Sequence, residues 1–140
     1  MRTDSLLPLL EAEGAALREC LSVLAEEQAL LSRSAEVEGL PALATRKAAL
    51  HARLDSIAAA RAACFDGAID MAAALSHDAR LQPLWDDVTE LARRARAANE
   101  INGRLVRMRM HYTGAALDAL RQARGQQAPV YGPDGRFSSR

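Results

Sequence analysis

Residues 83–124 read PLWDDVTELARRARAANEINGRLVRMRMHYTGAALDALRQAR. Within them Leu84, Val88, Leu91, Ala95, Ala98, Asn102, Leu105, Arg109, Tyr112, Ala116 and Ala119 follow one another at alternating steps of four and three residues. That spacing puts them on one face of a single helix, which Leu117 and Leu120 broaden. Pro83 suits the first helical position, and Asp86 and Asp87 fall in the turn where the helix dipole favours negative charge. At about 1.5 Å per residue the helix is roughly 60 Å long, more than a compact domain of this mass requires. An elongated bundle with one exposed helix end is therefore expected. Asn99, Asn102 and Gly103 interrupt the middle of this helix, where Gly costs about 1 kcal/mol relative to Ala. Close helix packing at Gly103, with Asn102 hydrogen-bonded across the seam, explains them better than a polar recognition point.

Upstream, Leu10, Gly14, Leu17, Leu21, Leu24, Gln28 and Leu31 repeat the four-three spacing. They predict a helix over 4–34 with a narrow apolar seam, capped by Asp4 and tolerating Pro8 in its first turn. Gly39 and Pro41 end the pattern. A second helix over 41–64 then carries Leu43, Lys47, Leu50, Leu54, Ile57, Arg61 and Cys64 on one face. The connection is short, so the two helices should form an antiparallel hairpin. Residues 65–80 allow at most a short helix. From 125 to 140 the chain turns to Gln, Pro, Gly and Ser, a composition expected to give a flexible tail. The fold class read from this pattern is all-α: a hairpin or three-helix bundle over 1–124, with a long C-terminal helix and the tail 125–140.

Composition agrees. Hydrophobic types make up 49% of the chain, yet only two Phe, two Tyr and one Trp are present, so the apolar content is mostly Ala and Leu, which suit a helix. Net charge is zero, but residues 1–87 hold 8 basic and 14 acidic side chains and residues 88–140 hold 10 and 4. The two halves can attract each other within the fold, or the basic half can meet an acidic partner; the internal pairing is the simpler expectation. Cys20 and Cys64 stand far apart without Cys or His companions, a spacing that supports no zinc motif and suits small buried thiols. There is no signal-like apolar segment at the N-terminus and no stretch of about 20 apolar residues. A cytoplasmic protein with no membrane insertion is expected.

Chemistry finds little support. His51, His77 and His111 are isolated, and none neighbours an acid and a nucleophile at triad spacing. No Gly-rich phosphate loop occurs, Asp86 and Asp87 are better read as first-turn residues than as metal ligands, and no cofactor is implied. Arg93, Arg94, Arg96, Arg104, Arg107 and Arg109 could line a nucleic-acid surface. They spread around the helix, however, and Glu100 lies four residues from both Arg96 and Arg104, the spacing of ordinary surface ion pairs. No nucleic-acid partner is expected.

The order Asn99, Asn102-Gly103, Leu105, Ala116-Leu117-Asp118-Ala119-Leu120 and Tyr131-Gly132-Pro133-Asp134-Gly135 resembles the FlgN-type flagellar export chaperones. The specific part of the likeness covers about the last third of the chain, and Thr113 stands where such proteins often carry Asn. The resemblance implies a cytoplasmic, non-enzymatic chaperone that holds the hook-filament junction proteins FlgK and FlgL before export by the flagellar type III apparatus. It implies client binding by the end of the last helix, with Leu105, Tyr112, Ala116, Leu117 and Leu120 as candidates, and docking to the export gate through Tyr131. An alternative from another class is a structural or regulatory coiled coil that self-associates through the same seams.

Overall fold

The computed structural model describes residues 3–33, 38–65, 71–125, 130–131 and 137–138. The chain is all-α: helix α1 spans Thr3–Ser32, α2 Leu40–Ala62, α3 Met71–Leu75 and α4 Leu81–Arg124. In the tail, strand β1 (Val130–Tyr131) pairs antiparallel with β2 (Phe137–Ser138), Val130 opposite Ser138 and Tyr131 opposite Phe137. The remaining tail residues lie outside the described ones. Residues 1–103 and 104–140 form two units.

The helix ends differ from the expected ones for identifiable reasons. Asp4 lies inside the first turn of α1 and does not precede it, and Pro8 sits within the helix. Leu6 and Leu10 are buried on either side of Pro8. Burying a leucine contributes roughly 2 kcal/mol, enough to offset the ladder hydrogen bond that Pro8 cannot donate. Gly39 caps α2 without a side-chain hydrogen bond. A Cβ there would stand 2.8 Å from Leu30 Cδ1, so the bare backbone lets the chain enter α2 against a half-buried leucine. The last helix opens two residues before Pro83. Leu81 is fully buried, and Asp78 organises the turn before it by accepting hydrogen bonds from the Arg80 backbone and guanidinium. Those hydrogen bonds from Arg80 hold the Asp78 carboxyl below its usual range. In the 65–80 stretch the one described helix is α3, whose Ala74 and Leu75 join the core; residues 66–70 lie outside the described ones.

Polar contacts give the helix directions within residues 1–103. Glu26 pairs with Arg46, Glu27 with Lys47, Glu19 with Arg53 and Glu13 with Arg61, so α2 runs antiparallel to α1. Arg18 pairs with Asp87, while Asn102 reaches Leu24 and Glu27, so α4 runs parallel to α1. Helix α1 is thus the one that both others cover, and it buries two rows of side chains. Leu10, Leu17, Leu24 and Leu31 belong to the seam read from sequence, but Ala16, Cys20 and Val23 are buried beside them, whereas Gln28 is exposed. The narrow seam expected for this helix is corrected to a broad face. Helix α2 packs on one side, and its Leu43, Leu50 and Cys64 are buried with Leu54 and Ile57 partly so.

Two polar clusters join all three long helices. In one, the Arg61 guanidinium donates to both Glu13 oxygens, at 3.0 and 3.2 Å, and lies 5.0 Å from the Trp85 ring centroid. In the other, Glu27 accepts from Lys47 Nζ at 3.2 Å and from Asn102 Nδ2 at 2.9 Å. Buried charge and amide groups are costly unless paired, and here each partner comes from a different helix. The clusters therefore fix the register of α1, α2 and α4 as leucine contacts alone do not.

Candidate partner-binding surface on the last helix

Helix α4 changes character along its length. In its first part Leu81, Val88, Leu91, Ala95 and Asn102 are buried. Asn102 is 2% exposed; its Nδ2 also donates to the Leu24 carbonyl at 2.9 Å, and its buried Oδ1 has no hydrogen-bond partner among the described residues. Asn99, by contrast, is exposed and Gly103 is half-buried.

Beyond Gly103 the helix has no buried residue, although its side chains remain large and apolar. Val106, Met108, Met110, Tyr112, Leu117 and Leu120 are exposed, from 39% at Val106 to 68% at Met110. Isolated exposed apolar residues need no explanation, but six within four turns of one helix make a candidate interaction surface. At about 100° per residue they fall into two rows. Val106, Met110, Leu117 and Leu120, with Thr113, keep the four-three spacing and span roughly 80° of the helix circumference. Leu105, Met108 and Tyr112 make a second row, which Ala116 and Ala119 extend.

The candidates read from sequence are divided between these rows. Leu117 and Leu120 belong to the first; Leu105, Tyr112 and Ala116 belong to the second. Leu105 is half-buried and Tyr112, Ala116, Leu117 and Leu120 are exposed. Val106, Met108 and Met110 were not among the candidates. The signal for Val106 and Met110 is the same four-three spacing started from Val106 in place of Leu105, since both positions continue the seam from Asn102; Met108 lies beside Leu105 in the second row. Tyr112 makes an edge contact with His111, ring centroids 5.9 Å apart. The Tyr131 backbone lies in β1, and its side chain is outside what the structure describes.

Charge on this segment is one-sided. Residues 104–124 hold five arginines and one aspartate. Arg104, Arg107, Arg121 and Arg124 have no carboxylate partner among the described residues, while Glu13, Glu19, Glu26 and Glu27 of α1 are held by arginines and a lysine of α2. The expected pairing of the acidic and basic halves is not seen at these four arginines among the described residues. Nor does Glu100 pair with Arg96 or Arg104; an exposed ion pair gains little over hydration, and Glu90 with Arg93 forms the described pair on that face. The arginine hydrogen bond lowers the Glu90 carboxyl from its ordinary range.

No group of three or more His, Cys, Asp or Glu among the described residues could hold a metal ion. Cys20 and Cys64 are free and buried, and burial pushes the Cys20 thiol up against the opposing influence of Lys47. A raised thiol is a poor nucleophile. A cleft of about 310 Å³ between α1 and α2 is lined by Glu19, Arg46, Ala49, Leu50 and Arg53, and its arginines are engaged by Glu26 and Glu19. Among the described residues no helix is long and apolar enough to cross a membrane. A family model described as FlgN protein matches residues 1–139. No curated protein and no solved structure matches the chain.

Proposed function

The chain belongs to the FlgN family, and from that premise we propose that it is a cytoplasmic chaperone of flagellar type III export that binds the junction proteins FlgK and FlgL before their passage. The observation that carries this reading is the run of large apolar side chains left exposed on α4 between Val106 and Leu120. A client segment that is disordered when free can fold as a helix on such a surface, placing its own apolar residues three and four apart. Part of the contact free energy then goes into ordering the client, which keeps the complex releasable at the export gate. The role is binding, without catalysis or cofactor.

Leu117 and Leu120 are the anchors of this client site, with Leu105, Tyr112 and Ala116 on the neighbouring row. Leu117→Ala combined with Leu120→Ala abolishes capture of FlgK and FlgL by the full chain, while far-ultraviolet circular dichroism stays helical. Undiminished capture by that double variant would sink the assignment. Tyr131 is the docking residue for the export gate, a role supported by the family resemblance. Tyr131→Ala leaves client affinity unchanged and weakens gate binding; equal gate binding by the two proteins counts against it.

A further inference from the structure

Aligned as a coiled-coil repeat, the exposed row on α4 puts Val106, Met110, Thr113, Leu117 and Leu120 in the seam. The positions flanking that seam are then Arg107, Gly114 and Arg121 on one side and Arg109, Ala116 and Ala123 on the other. No flanking position is acidic, and Asp118 lies off the seam. Flanking charges select the partner helix and its direction.

We infer that the occupant of this row is an acidic amphipathic helix of another protein: apolar residues at four-three spacing over about four turns, flanked by Asp or Glu. The inference rests on the reading of α4 as the client-binding segment and adds the chemistry of what binds there. A second copy of the same helix fits poorly, because in neither direction do Arg107 and Arg121 meet a carboxylate: antiparallel they face each other, and parallel they face Asn102 and Ala116. The acidic helix α1 of a second copy fits no better. Its leucines are in the core, and Glu13, Glu19, Glu26 and Glu27 are already paired. The chain's own residues 125–140 contribute one Asp and two Arg, so they do not supply the missing negative charge.

Two synthetic peptides of about 18 residues, enough to span Val106 to Leu120, distinguish these occupants. Both carry Leu at four-three spacing; one has Glu at every flanking position and the other Lys. Titrated by fluorescence anisotropy into the full chain, the Glu peptide binds at least about tenfold tighter than the Lys peptide, and the preference shrinks as salt is added. The variant Arg107→Glu/Arg121→Glu, with unchanged circular dichroism, loses or reverses the preference. Equal affinity for both peptides, preference for Lys, a preference unmoved in the charge-reversed variant, or absence of binding by either peptide overturns the inference. So does a concentration-dependent dimer in sedimentation that Leu117→Ala/Leu120→Ala abolishes. FlgK or FlgL capture that depends on Leu117 and Leu120 but not on Arg107 and Arg121 leaves the chaperone reading standing and removes only this one.

Discussion

Arg61→Ala is expected to lower the unfolding free energy by about 3 kcal/mol, the cost of leaving a buried charge without its partner. Glu13 is 7% exposed, and its two carboxylate oxygens are both engaged by the Arg61 guanidinium. The same guanidinium lies over Trp85 of α4, so one side chain of α2 holds both of the other long helices. Truncation strands the carboxylate in the core and also removes the stacked contact. Arg61→Lys keeps the charge but not the forked hydrogen bonds, and costs about half as much. Replacing both partners, Glu13→Leu with Arg61→Met, recovers most of the loss because no buried charge is left over. Urea denaturation followed by circular dichroism measures all three; a loss below about 0.5 kcal/mol for Arg61→Ala would mean the pair behaves as an exposed one.

Asn102→Asp is expected to be about as damaging at neutral pH, again by roughly 3 kcal/mol. The Asn102 amide donates to the Leu24 carbonyl and to Glu27, each at 2.9 Å. A carboxylate in its place brings only acceptors toward two acceptors, one of them already negative. Burial and the Glu27 charge both raise the pKa of the introduced group in the folded state above its unfolded value near 3.9. An acid with a raised folded pKa loses stability as pH rises through that window and regains it as pH falls. The deficit relative to the unsubstituted chain should therefore narrow between pH 7 and pH 5 in parallel denaturation series. Asn102→Ala, which loses the hydrogen bonds without adding charge, should cost about 1–2 kcal/mol with no such pH dependence. A pH-independent deficit in Asn102→Asp would show that the position is hydrated.

The sequence was most readable where a helix buries a single stripe. The α2 seam from Leu43 to Cys64 follows its spacing, with Leu43, Leu50 and Cys64 buried and Lys47, Leu54, Ile57 and Arg61 half-buried, because most of that helix's apolar side chains meet α1. The second buried row of α1, Ala16, Cys20 and Val23, was not readable in the same way. Spacing marks that these residues neighbour the seam, but not that α1 lies between two helices. The Glu13–Arg61 pair joins residues 48 apart and carries no local signal. On α4 the ambiguity lies in the spacing itself. A seam leaving Asn102 can continue through Leu105 or Val106, and the first choice leads through Arg109 while the second gathers Met110, Leu117 and Leu120. Both rows carry exposed apolar side chains, and what separates them is that the Val106 row gathers four large ones, Val106, Met110, Leu117 and Leu120, on one narrow face.

Calorimetric titration of the full chain with purified FlgK and FlgL, repeated with a chain ending at Ala115, tests the central claim most directly. Saturable binding of a client by the full chain is expected, and its loss in the shortened one, which retains α1, α2 and the first part of α4 but lacks Leu117 and Leu120. Equal affinity in the two proteins, or no binding of either client by a fully helical intact chain, would contradict it.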